Sequence, residues 1–104
     1  MLTVVETPLF RQRAAKLLTE SEREAFAVYI AQNPMAGSVV WGSGGVRKIR
    51  CRLGGVGKSG GVRIAYFNRL ADREVWLLTI FAKNKQSTIP ASELKMIKEA
   101  LEHD

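Results

Sequence analysis

The chain has 104 residues, 46% of them hydrophobic and 25% charged, with a formal net charge of +6. That length fits a single domain, 1–104, with one modest core, and the composition excludes a disordered chain. No apolar run approaches the ~20 residues of a spanning helix, and the first residues lack a signal-peptide pattern, so a cytoplasmic protein without membrane attachment is expected.

The excess charge is local. Residues 1–24 carry four basic and four acidic side chains, and residues 75–104 again four of each. Between them, at 25–74, eight basic residues are set against only Asp72 and Glu74, and no acid occurs from Ala25 to Ala71. Such a field suits a polyanion: RNA, DNA or an acidic protein segment. A merely solubilising face is the weaker reading, because the basic residues share strand parity. One cysteine and one histidine cannot build a conventional zinc site, so neither metal nor cofactor is expected. Cys51, on a stretch alternating apolar and basic, reads as a buried structural thiol rather than a nucleophile. His103 reads as a solvated tail residue.

In chain order, Leu2 to Val5 reads as a strand. Thr7-Pro8 then supplies an N-cap and a first helical residue. The helix that follows reaches about Leu18, with Leu9, Phe10, Ala14, Leu17 and Leu18 inward. Thr19 and Glu22 have capping-box spacing for a second helix, whose stripe is Phe26, Tyr29 and Ile30. Asn33-Pro34 ends it. All nine glycines fall between Gly37 and Gly61. Residues 34–45 therefore read as a loop, in which Trp41 either plugs the core edge, the favoured reading, or offers a stacking surface. The second strand, Val46 to Leu53, turns Ile49, Cys51 and Leu53 one way and Lys48, Arg50 and Arg52 the other. Three like charges on one strand face repel, which a purely structural strand has little reason to accept. Arg47 shares the apolar parity and is expected to reach out at the strand end.

Gly57-Lys58-Ser59 invites comparison with a phosphate-binding loop. The motif needs a glycine at position 52, which is Arg52, and a helix afterwards, where a strand follows. The loop 54–61 reads instead as a hairpin connection presenting Lys58. Strands at Val62–Arg69 and Glu74–Ala82 flank the turn 70–73. The run VWLLTIF is apolar on both faces, as in a central strand. A last helix starts near Pro90 or Ser92, with Leu94, Ile97 and Leu101 inward and Met96 and Ala100 flanking. The order β-α-α-β-β-β-α defines an α+β domain. Its helices should cover one face of a mostly antiparallel sheet, leaving Lys48, Arg50, Arg52, Arg63 and Lys83 on the other.

No Ser-His-Asp set, carboxylate pair or metal cluster is available, which argues against conventional hydrolysis. A cationic face still suits one reaction. When a ribose 2′-hydroxyl attacks the adjacent phosphate, negative charge builds on the phosphorane, and Arg and Lys stabilise it. A lysine surrounded by cations can also exchange protons. DNA lacks the 2′-hydroxyl, so this chemistry selects RNA.

The segments GGVRKIR at 44–50, GKSGGVRIAYF at 57–67 and LLTIFAKNK at 77–85 resemble the RelE superfamily of bacterial toxins, most closely its HigB-type branch. The resemblance runs along nearly the whole chain, including the element order. It implies a toxin of a type II toxin-antitoxin system that cleaves messenger RNA in the A site of the 70S ribosome. It also implies a cognate antitoxin, often with a helix-turn-helix domain, and a catalytic sheet face of Arg, Lys and an aromatic residue. Carried over, Arg63 would contact the scissile phosphate, Lys48 or Lys83 would serve as base or acid, and Phe81 would stack on a base. Arg47, Arg50, Arg52, Lys58 and Lys85 would hold RNA or ribosome. Phe81 stands where close relatives often carry tyrosine, so proton transfer falls to Lys83 or another group. The fold alone also admits a ParE-like inhibitor of DNA gyrase, and the charge alone a basic RNA-binding module without catalysis.

Overall fold

The computed structural model describes residues 1–51, 61–82 and 89–103. The elements are β1 (Thr3–Glu6), α1 (Pro8–Leu17), α2 (Glu20–Gln32), β2 (Ser38–Val39), β3 (Arg47–Cys51), β4 (Val62–Arg69), β5 (Glu74–Ala82) and α3 (Ala91–Glu102). A 3-10 turn at Leu70–Asp72 joins β4 to β5. The five strands form one sheet in the order β1-β5-β4-β3-β2, antiparallel except for the parallel β1–β5 pair.

Local chemistry fixes the helix starts. The Thr7 hydroxyl accepts from Phe10 N at 2.9 Å and donates to Leu78 O at 2.7 Å, capping α1 and tying it to β5. Thr19 and Glu22 close the capping box of α2, with bonds of 3.1 Å and 2.8 Å. Arg23 on α2 makes a bidentate pair with Glu6 on β1, at 2.9 Å and 2.7 Å. The Arg23 hydrogen bonds hold the Glu6 carboxyl below its ordinary value.

The helices do not share one face of the sheet. Phe10, Ala14, Leu18, Phe26 and Ile30 from α1 and α2 pack on Cys51, Val62, Ile64, Tyr66, Val75, Leu77 and Ile80. Leu94 of α3, with Ile97 and Leu101 beside it, packs on the opposite face against Val46, Ala65, Trp76, Leu78 and Phe81. The two N-terminal helices share one face, as expected, and only the expectation that α3 joins them there is corrected. A central strand apolar on both sides needs cover on both sides. A β-bulge at Leu78 shifts the register so that Tyr66 pairs with Leu77 and Ala65 with Thr79.

Three smaller expectations also change. Tyr29 is exposed, because the buried stripe of α2 runs through Phe26, Ile30 and Ala31 and leaves position 29 beyond its edge. Part of the stretch read as loop is a strand: β2 pairs Ser38 with Lys48 and Val39 with Arg47. Trp41 does not plug the core edge, since 93% of its surface is exposed.

Candidate nucleic-acid interface

Strand register gathers the cations. Arg50 on β3 lies opposite Arg63 on β4, and Arg63 opposite Phe81 on β5. In the next row, Lys48 lies opposite Ala65 and Ala65 opposite Thr79. Paired residues share a sheet face, so Lys48, Arg50 and Arg63 stand on the α3 side. Gly61, at φ 72°, precedes β4. A Cβ added there would stand 3.7 Å from Arg50 Nε and 3.8 Å from Arg63 Nη1, so both guanidinium groups flank this one glycine. Arg50 is exposed, and Lys48 and Arg63 are half-buried. Two guanidinium groups directly across a strand pair repel, and the arrangement attracts an anion.

Not every nominated residue joins this group. Arg47 does not reach out from the strand end. It pairs with Tyr66 on the α1–α2 side, and its Nη1 donates to Gly37 O at 2.7 Å. The Tyr66 hydroxyl completes that clamp, donating to Pro34 O and accepting from Gly37 N, each at 2.8 Å. Burial pushes its phenol above the ordinary value. Phe81 has the expected strand position, but only 5% of it is exposed. Its ring packs with Ile89 and Leu94, so its faces are closed to a base. Arg52, Lys58, Lys83 and Lys85 lie outside the described residues. Cys51 is buried, and desolvation pushes its thiol up to about 12, which rules out a thiolate nucleophile near neutral pH.

Arg13 is a cation the sequence reading passed over. It leaves α1 around the β5 edge, beyond the end of β1, and its Nη1 donates to the fully buried Thr79 hydroxyl at 3.0 Å. A helical arginine on an otherwise polar face carries no signal of such a reach; only the β5 register reveals it.

Past Lys48 the same side of the sheet becomes structural. Phe67 and Trp76 rings lie 6.3 Å apart, Arg69 sits 4.5 Å from the Trp76 ring centre, and Lys98 sits 4.7 Å from that of Phe67. Trp41 stands apart in this region. Leaving an indole in water forgoes roughly 4–6 kcal/mol of burial, from ~25 cal/mol per Å² over ~150–250 Å².

A sheet with two helices on one face, a third on the other and a parallel edge strand defines a RelE-like α+β fold. No family model matches the sequence. Among solved structures, the chain is similar to the E. coli toxin RelE, determined as a double-arginine mutant in the free state. The TM-score is 0.64 at 15% identity, over 93% of this chain and 96% of that one.

Proposed function

We propose that this protein is the toxin of a type II toxin-antitoxin system and an endoribonuclease that cleaves messenger RNA on the ribosome. The observation that carries the reading is the Arg50–Arg63 pair beside Gly61, with Lys48 on the same face of a RelE-like sheet. In this reading Arg63 and Arg50 hold the scissile phosphate and stabilise the charge that develops as the 2′-oxygen attacks phosphorus. The P–O5′ bond breaks, leaving a 2′,3′-cyclic phosphate and a 5′-hydroxyl. Lys48 and Lys83 exchange the protons, taking one from the 2′-hydroxyl and giving one to the departing oxygen. Arg52, Lys58 and Lys85 extend the contact to the RNA or ribosomal backbone. The buried Phe81 supports the strand rather than stacking on a base.

The segments at 44–50, 57–67 and 77–85 favour the HigB-type branch and, with it, an antitoxin bearing a helix-turn-helix domain. Such a toxin works in the cytoplasm, and no described helix is long and apolar enough to cross a membrane. Primer extension on messenger RNA from cells expressing the protein tests the reading. New codon-linked ends, suppressed by the neighbouring encoded protein, are expected. Growth arrest with DNA damage and no new RNA ends would move the protein to the gyrase-inhibitor class.

A further inference from the structure

Trp41 is built to stay in water. Its loop joins β2 to β3, and both ends are anchored. Val40 N donates to Val46 O at 2.8 Å, and Val46 is fully buried beneath α3. Inside the loop, the buried Ser43 hydroxyl donates to Val40 O at 2.6 Å and accepts from Val46 N at 3.0 Å. Gly42, Gly44 and Gly45 take φ of 82°, 79° and 100°, the left-handed region that favours glycine. Lys98 Nζ donates to Gly44 O at 2.9 Å and ties the loop to α3. A loop fastened at so many points cannot fold the indole back onto the core. Its glycines place no side chain beside the ring.

We infer that Trp41 is a stacking platform for a nucleobase of the RNA, a few nucleotides from the scissile phosphate. The inference rests on the ribonuclease reading above and deepens it. Three observations select a base as the occupant. Phe81, the aromatic paired with Arg63 across the strands, is closed to solvent. No acidic residue occurs in the sequence from Ala25 to Ala71, so the field around the loop favours a polyanion. The stem of Lys95 borders Gly44 on the α3 side, and the Glu102 carboxylate of α3 is answered by Lys98 at 3.7 Å, so it does not oppose a polyanion. Along β3 the order is Arg50, Lys48, Val46 and then this loop, a line of roughly 13 Å from Arg50 to Val46 at ~3.3 Å per residue. α3 covers Val46, but Gly42 next to Trp41 meets the first residue of that helix, where its Cβ would stand 3.8 Å from Ala91 Cβ, so RNA held at the arginine pair can pass Lys48 and reach the indole beside the start of α3. An apolar pocket in a partner protein is the competing occupant of an exposed tryptophan, and the cationic surroundings weigh against it. Base–aromatic stacking tolerates any base, so Trp41 supplies affinity and register more than sequence choice.

The test measures cleavage of a message on programmed ribosomes as toxin concentration is varied, for wild type, Trp41→Ala and Trp41→Phe. Trp41→Ala should raise the half-saturating concentration by about 5- to 100-fold while the maximal rate stays within about threefold. Trp41→Phe should restore most of the loss, because a phenyl ring still stacks. Thermal melting should be the same for all three, since the indole touches little of the core. A message carrying 4-thiouridine should photocrosslink to the tryptic peptide 24–47 in the wild type and not in Trp41→Ala. Wild-type saturation and crosslinking in Trp41→Ala, with cleavage intact, would overturn the platform and leave the ribonuclease standing. If the wild type cleaves no message, the ribonuclease reading falls and the platform with it. Normal cleavage by Trp41→Ala combined with lost binding to a partner protein would assign the indole to that partner, against the inference.

Discussion

Arg47 and Arg50 are three residues apart on one strand and lead opposite lives. Arg47 faces the α1–α2 side, where its guanidinium meets the Gly37 carbonyl next to the Tyr66 hydroxyl. Arg50 faces the α3 side and shares the border of Gly61 with Arg63. One is a hydrogen-bonded strut and the other half of a like-charged pair. The contrast extends to the two sides of the sheet. The α1–α2 side is closed by aromatic and aliphatic packing, whereas the other is apolar only where α3 lies and cationic beyond it. Strand parity, decided by single residues, separates a residue that holds the fold from one on the cationic side of the sheet.

The contrast can be broken most sharply at Arg63. Arg63→Ala should lower cleavage by about 100-fold or more while melting as the wild type does. A fully toxic variant would remove Arg63 from the reaction. Gly37→Ala attacks the structural side. Its Cβ would lie 2.9 Å from Lys48 O and from the Tyr66 ring and hydroxyl, so urea denaturation should show a loss of about 1–3 kcal/mol. Next comes the paired test of the two arginines. Arg47→Ala should cost about 1–2 kcal/mol of stability with RNA binding nearly unchanged. Arg50→Ala should leave stability within about 0.5 kcal/mol and lower the slope of log affinity against log salt by about one. The opposite pattern would show the two faces to be misassigned. With about five phosphate contacts, wild-type affinity should fall more than ~100-fold between 50 and 200 mM salt.

The smallest effects are in pH. Glu6 has a lowered carboxyl in the folded state, so its contribution is present above the unfolded value of ~4.3 and is lost as pH falls through the folded one. Glu6→Gln should flatten that acid limb of the stability curve. Cys51 acts in the other direction. Its folded thiol keeps its proton to about 12, while the unfolded thiol releases it near ~8.5, so this group lowers stability as pH rises between them. Cys51→Ser should reduce the alkaline loss.

Much of this was legible before any coordinates. The ends of β4 and β5, the Thr7 cap, the Thr19–Glu22 box and the shared parity of Lys48 and Arg50 follow from periodicity and side-chain chemistry. Other features depend on contacts that no local pattern encodes. The side on which α3 lands is a tertiary choice, although the two-sided apolar run of β5 already required a second cover. That cover is also what buries Phe81. β2 is too short, at two residues, to show a period. Arg47 needed the position of the Gly37 carbonyl, and Arg13 needed the β5 bulge.

The central claim is that the arginine pair directs a 2′-oxygen onto its own phosphate. End-group analysis of message cut by the purified protein on ribosomes tests it most directly. A 2′,3′-cyclic phosphate and a 5′-hydroxyl are predicted, with cleavage abolished by a single 2′-deoxy substitution at the cut site and by Arg63→Ala. A 5′-phosphate product, or equal cutting of the deoxy-substituted message, would contradict the account.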